Sequence, residues 1–217
     1  MLDLNILYSD NHILAVNKPP GILVQGDMTG DLSLFEEAKR YIKVKYHKSG
    51  NVYLALLHRI DRPVSGVVLF SRTSKSAARL SKQLREKKIL KNYHAIIHGH
   101  IEKNGFFKDY MIRKKVNSYI VQSGNNAKVA ELSFKRKASD GKQSLVEILL
   151  RTGRHHQIRV QFAHRGHPVV GDFRYGSNRK FPLRSLALHA HSIEFEHPTL
   201  KNALTLKLNV LKTGTTI

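Results

Sequence analysis

"LLHRIDRPVSGVVLF", residues Leu56–Phe70, sets His58, Arg59, Asp61 and Arg62 between two apolar runs. The runs read as buried strands, and Pro63 and Gly66 mark the break between them. A carboxylate between two arginines at a strand end admits two readings. It is a structural ion pair, or it is a carboxylate held ionised by guanidinium and positioned as a nucleophile or base. Spacing alone leaves both open. The chain has only eight aspartates, and Asp10, Asp27, Asp31 and Asp140 sit at turn-like positions, whereas strands frame Asp61.

Working outward, "NILYSDNHILAVNKPPGILV" reads as two short strands around an Asp10-Asn11 turn, then a break at Pro19-Pro20-Gly21. "LSLFEEAKRYIKVKY" spaces Leu34, Phe35, Ala38 and Ile42 as one face of a helix. "VYLALLHRID" is expected to be a buried strand, and "VVLFS" another. "TSKSAARLSKQLREKK" opens on a Ser/Thr cap and ends in Lys and Arg, the charge order that a helix dipole favours. "KNYHAIIHG", "KVAELSFKRKA", "SLVEILLRTG", "LALHAHSIEFEH" and "LTLKLNV" read as further strands, while residues 104–127 read as short, basic, turn-rich pieces. "HHQIRVQFAHRGHP" pairs Ile158 with Phe162 one turn apart and exits at Gly166, with Pro168 beyond. Antiparallel-looking strands with a few helices argue for an α+β domain. No repeat or Gly/Ser/Pro-rich linker divides the 217 residues, so a single domain is expected.

Composition narrows the partners. Thirty-seven Lys and Arg against 16 Asp and Glu give a formal charge of +21, which no fold requires. Basic side chains gain affinity for nucleic acid by releasing counterions from phosphates, so RNA or DNA is the expected partner. No long basic amphipathic helix points to a membrane surface instead. The absence of cysteine excludes disulfides, thiolate metal sites and thiol nucleophiles. The N-terminus carries acids where a secretory signal would carry Lys or Arg, and the apolar runs are strand-sized, so a cytoplasmic protein is expected.

"HRIDRPVSGVVLF" resembles the catalytic motif of the RluA family of pseudouridine synthases, and four other stretches agree in order. They are "ILYSDNHILAVNKPPGILV", "KNYHAIIHG", "GRHHQIRVQFAHRGHPVVGDFRYG" and "LALHAHSIEFEHP". The match runs from about the N-terminus to Pro198. The sequence departs from the family pattern at Val64, where Thr is common, and at His155 and Gln161, which replace Thr and His. The resemblance implies the pseudouridine synthase fold, a mixed and mostly antiparallel sheet flanked by helices and loops. It also implies a stand-alone catalytic domain without an S4-like RNA-binding extension.

By that resemblance Asp61 is the nucleophile and base that lets the glycosidic bond of a uridine break and the uracil rejoin through C5. Tyr93 is the tyrosine that stacks on the base and assists proton removal from C5. Arg159 is the basic residue that pairs with Asp61, and Leu188 the apolar residue beside the base, although Leu186 would face the same side of a strand. Arg59 and Arg62 serve phosphate or structure. Extrusion of the target is easiest from unpaired loops, so loop uridines of tRNA or rRNA are the expected substrates, acted on by a monomer without cofactor or metal.

Two rivals remain. The set His155, His156, His164 and His167 suggests a metal-dependent nuclease, but no carboxylate-rich cluster accompanies it. A non-catalytic basic RNA-binding module would use Asp61 only as a structural anion. Such modules favour aromatic-rich strands or KH-type loops, and neither is evident in the sequence.

Overall fold

The structure is a computed structural model that describes residues 4–28, 30–182 and 185–208. Its described residues form two compact units, one within residues 4–89 and 192–208 and the other within residues 90–191.

In the first unit β1 (Asn5–Ser9) and β2 (Ile13–Lys18) form a hairpin. Its turn is tied by Asp10, whose Oδ1 accepts from the backbone N–H of His12 and Ile13, both at 2.7 Å. This is an Asx turn, as the Asp-Asn pair predicts. β2 pairs along its whole length with β4 (Ser65–Ser71), antiparallel. β3 is only Ala55–Leu56, so the expected strand over residues 52–61 is mostly irregular. One cause is that His58 turns inward, and its Nε2 accepts from the backbone N–H of Leu69 at 3.1 Å. A side-chain acceptor here takes the place of a ladder carbonyl.

α1 (Leu34–Lys45) starts at Ser33 and α2 (Ser74–Arg85) at Thr73, each cap oxygen accepting an N–H of the first turn. Leu80 of α2 packs with Ile13, Ala15, Val67, Leu69, Ile193 and Phe195. Phe35 of α1 meets Phe70, whose side chain leaves β4 on the opposite side, at 6.1 Å between rings. Both faces of β2 and β4 are therefore covered, which explains their unbroken apolar runs. The unit also takes the far end of β10 (Leu188–Glu196), paired from Ser192 onward with β11 (Ala203–Lys207). The last two residues of "LTLKLNV" lie outside the described residues.

The second unit is an antiparallel sheet in the order β5 (Leu90–His98), β9 (Gln143–Leu150), β8 (Lys128–Ser139), β6 (Asn104–Lys114), β7 (Asn117–Val121). The turn-rich reading of residues 104–127 fails over β6 and β7. Neighbours such as Phe106-Phe107 and Tyr110-Met111 put large apolar side chains on both faces, which erases the alternation by which a strand is recognised. α3 (Gln157–His164) packs Phe162 against Phe107 and Phe134 at 5.1 and 5.5 Å. Register carries the face from Phe134 through Ile148 to Tyr93, so α3 covers the face that bears Tyr93. Among the described residues no helix is long and apolar enough to cross a membrane.

Candidate active site

Asp61 lies in the first unit, in the loop between β3 and β4. Its neighbours Ile60 and Val64 are buried, Arg59 and Arg62 are exposed, and Asp61 itself is half-buried. The loop is fixed from the "NKPPG" turn. Lys18, the last residue of β2, is fully buried, and its Nζ donates to the carbonyls of Pro19 (3.0 Å), Ile22 (2.9 Å) and Arg62 (3.0 Å). The Arg62 carbonyl also accepts from the Gly21 N–H at 2.8 Å, and Arg62 Nε returns a bond to the Gly21 carbonyl at 2.9 Å. Arg62 Nη1 reaches Asp31 at 2.8 Å. A Val64 N–H to Asp61 carbonyl bond closes the turn at 3.0 Å. Gly66 follows at φ +124°, a conformation that side-chain-bearing residues avoid, which accounts for the Ser-Gly step. Burial pushes the Lys18 ammonium down to about 7, while the Asp61 carboxylate acts upward and Arg62 downward.

The second unit holds Tyr93, Arg159 and Leu188. Tyr93 is buried mid-strand in β5, and Leu188 is buried as the first residue of β10, with Leu186 buried just before it. Arg159, on α3, is 5% exposed and forks onto the 1% exposed Asp172, Nε to Oδ2 at 2.6 Å and Nη2 to Oδ1 at 2.9 Å. Asp172 thus uses one edge of the guanidinium, and the Nη1 corner lies outside this fork. The Tyr175 ring stacks 5.0 Å from the Arg159 guanidinium carbon.

Tyr175 in turn ties the helix start. Its hydroxyl is 2.7 Å from His156 Nδ1 and accepts from the Ser118 N–H at 3.0 Å. His156 stands at the N-cap of α3 in the left-handed region, φ 54°, and provides no side-chain cap. Gln157, the first residue of the helix, ties the loop before it. Its Oε1 accepts from the Arg154 N–H (3.0 Å) and the Thr152 hydroxyl (2.8 Å), and its Nε2 donates to the Glu131 carbonyl (3.1 Å). Asp172 is held by its loop, where its carbonyl accepts from the N–H of Tyr175 and of Ser177, both at 3.0 Å. Gly171 before it has φ +89°, and a Cβ there would lie 2.6 Å from the Ser185 carbonyl oxygen, so only glycine closes this loop.

Burial, with Arg159, His155, Arg174 and Arg113 added, drives His156 down to about 2, so it is neutral beside Tyr175. The family departures find structural duties. Gln161 donates from Nε2 to Asp109 Oδ2 (2.7 Å) and to the Ala130 carbonyl (3.1 Å), and His155 Nδ1 lies 2.9 Å from the Ser118 hydroxyl. Of the four histidines of the nuclease reading, His155 and His156 stack at 3.7 Å but turn their Nδ1 atoms to the Ser118 and Tyr175 hydroxyls. His167 meets the His98 carbonyl at 2.9 Å, and His164 ends α3. Lys18, Asp172 and Tyr175 were not singled out from sequence, although all three lie inside the quoted motifs. Asp172 had a usable signal, as an acid in the otherwise basic stretch from Arg165 to Lys180.

Comparisons with known proteins identify the family. The chain is 38% identical over 207 residues to the ribosomal large subunit pseudouridine synthase C of Buchnera aphidicola from Schizaphis graminum, covering 89% of this chain and 63% of that protein. It is 31% identical over 230 residues to the tRNA pseudouridine synthase C of Vibrio parahaemolyticus, covering 96% and 91%. The chain thus spans somewhat under two thirds of the first of these relatives and nearly all of the second. The fold matches the structure of human RNA pseudouridylate synthase domain containing 4, with a TM-score of 0.80 at 23% identity over 96% of this chain and 89% of that one. A model of the RNA pseudouridylate synthase family matches residues 12–164, which include both the clamped Asp61 loop and the helix of Arg159, and the chain belongs to that family.

Proposed function

We propose that the protein is an RNA pseudouridine synthase that isomerises loop uridines of tRNA or rRNA, as a single catalytic domain and a cytoplasmic monomer without cofactor. Asp61 is the nucleophile or base. The N1–C1′ bond breaks, a C5–C1′ bond forms, the C5 proton leaves to solvent, and N1 ends protonated. Tyr93 stacks on the base and helps remove the C5 proton. Arg159, oriented by Asp172, is the basic partner that aims Asp61. Leu188 packs beside the uracil, and Arg59 and Arg62 meet phosphates.

One observation carries this reading beyond family membership. The loop of Asp61 is fixed by Lys18 through main-chain carbonyls and leaves the two flanking arginines at the surface. That is a rigid carboxylate at a cationic surface, which suits an anionic polymer presenting one flipped base. The named relatives act, by their names, on ribosomal and transfer RNA.

The test uses tRNA and rRNA transcripts labelled with tritium at uracil C5. The protein releases tritium to water, and EDTA changes nothing. Asp61→Asn, similar in size and still a hydrogen-bond acceptor, loses essentially all release while keeping the parent's RNA affinity and melting temperature. Strand cleavage would instead favour the nuclease. Full release by folded Asp61→Asn would leave Asp61 a structural anion.

A further inference from the structure

In the second unit α3 covers the face of the sheet that bears Tyr93, Phe134 and Phe107. The other face presents the alternate residues, and three of them are large exposed aromatics: Phe106 (53%), Tyr110 (44%) and Tyr119 (46%). Register puts them on one side. Phe106, Lys108, Tyr110, Ile112 and Lys114 alternate along β6, with Tyr119 opposite Ile112 and Val121 opposite Tyr110. Tyr110 and Tyr119 are therefore diagonal neighbours, about 7–8 Å apart at their Cα atoms, and Phe106 lies about 13 Å along the strand from Tyr110. Phe106 pairs across to Ser133, whose small side chain leaves the ring uncovered on that side.

The charges on this face are mostly positive. Glu131 lies 3.9 Å from Lys108, and Glu147 lies 3.3 Å from Lys137, so each acid has a lysine beside it. Lys114 and Lys135 stand on the same face with no ion-pair partner among the described residues. An aromatic row interleaved with lysines on a solvent-facing sheet matches what single-stranded RNA binds: rings for the bases and ammonium groups for the phosphates.

We propose that this face is a second RNA contact, a stacking platform for a single-stranded stretch that flanks the modified loop. It lies on the opposite side of the sheet from Tyr93 and Arg159 and takes no part in the chemistry. The inference rests on RNA being the substrate, as proposed above, and adds where the RNA outside the target loop is held. A second copy of the chain is the competing occupant. The lysines disfavour it, because two such faces would bring like charges together.

The experiment compares one substrate stem-loop with and without a single-stranded tail of about ten nucleotides, within the usual reach of such platforms. Affinity is read by fluorescence anisotropy and chemistry by single-turnover tritium release at saturating RNA. The parent binds the tailed RNA at least tenfold tighter than the untailed one. Phe106→Ala/Tyr110→Ala/Tyr119→Ala loses about tenfold or more of that tail-dependent affinity, as removal of stacking rings predicts, yet keeps parent turnover on the untailed stem-loop. Lys114→Gln/Lys135→Gln, which leaves the rings in place, loses part of it and flattens the salt dependence.

A triple variant that binds both RNAs as the parent does overturns the platform. So does a parent dimer, seen by sedimentation, that the triple variant converts to monomer without changing tail affinity. Binding is measured without turnover, so a protein inactive on every RNA would overturn the proposed function and leave the platform test readable.

Discussion

Each unit contains an arginine–aspartate pair next to a residue of the proposed site, and the two pairs behave differently. In the first unit Arg62 meets Asp31 at 2.8 Å with the side chains 48% and 46% exposed. In the second Arg159 meets Asp172 at 2.6 Å with 5% and 1% exposed. The distances are nearly equal, yet the energetic consequences are not. Water screens the first pair, and its partners lose little when separated. The second has given up its hydration and depends on the partner for compensation. The loop of Asp61 is held instead by Lys18 and main-chain carbonyls, a clamp that salt reaches poorly. One unit places its charge through backbone, the other through side chains.

The largest effect that would break this contrast is on the buried pair. Asp172→Asn removes the carboxylate from a buried guanidinium and should cost about 3–5 kcal/mol, seen as a fall in urea midpoint with α3 amides losing hydrogen-exchange protection first. Isomerisation should fall as well, because Arg159 loses its orienting partner. If Asp172→Asn melts with the parent, the fork is not what holds α3.

Next comes Lys18→Met, which is close in volume but donates nothing. The carbonyls of Pro19 and Ile22 lose a donor, and a cost of about 2–4 kcal/mol is expected, localised to the amides of β2 and the Asp61 loop. The sign with pH sharpens the point. Lys18 titrates near 7 in the folded protein and at 10.5 unfolded, so between those values the unfolded chain binds more protons and stability rises with pH. Below about 7 both states are protonated and the penalty of burying the charge is felt in full. The variant should lack the rise. The three carbonyl acceptors oppose it, since a neutral amine has hydrogens for only two. An equal slope in parent and variant would show that Lys18 stays charged throughout.

Much of the fold was legible in sequence and little of the wiring of the site was. The β1–β2 hairpin followed from Asp10-Asn11, α1 from the helical spacing of Leu34, Phe35, Ala38 and Ile42, and α2 from its Ser/Thr cap and basic end, because local chemistry and periodicity settle turns and helices. β6 and β7 were missed because Phe106 and Tyr110 face solvent, so the rule that apolar residues lie inside pointed the wrong way. The same residues conceal the aromatic strand signature of an RNA-binding surface. Asp61, Tyr93, Arg159 and Leu188 could be named only through ordered motifs. Lys18 and Asp172 act across 44 and 13 residues of sequence, and no local pattern reports such partners.

A third effect belongs to the second unit alone and lies on the acid side. Burial, with His191 and His94 added, pushes His189 down to about 4, and His156 lies lower still at about 2. Both fold neutral and gain a proton on unfolding near 6.5, so stability is full above that value and drains as pH falls below it. At pH 5.5 the loss is about 1.4 kcal/mol for each buried histidine. His156→Asn, which tolerates the positive φ, should remove its share of the loss and leave the alkaline slope of Lys18 untouched. Equal acid slopes for parent and variant would show that His156 accepts its proton in the fold.

The smallest effect tests the exposed pair. Asp31→Asn removes the carboxylate opposite Arg62 and should change stability by no more than about 0.5 kcal/mol, because both groups are half in water and Arg62 keeps its Nε bond to the Gly21 carbonyl. Catalysis by Asp61 should be unchanged at saturating RNA, since the loop is held by Lys18 and not by this pair. RNA affinity should rise slightly and the salt slope steepen, as Arg62 is freed to meet a phosphate. A thermal shift measured beside Asp172→Asn gives the comparison in one experiment. If Asp31→Asn destabilised the protein as much as Asp172→Asn does, burial would not be what separates the two pairs, and the Asp61 loop would depend on a surface ion pair after all.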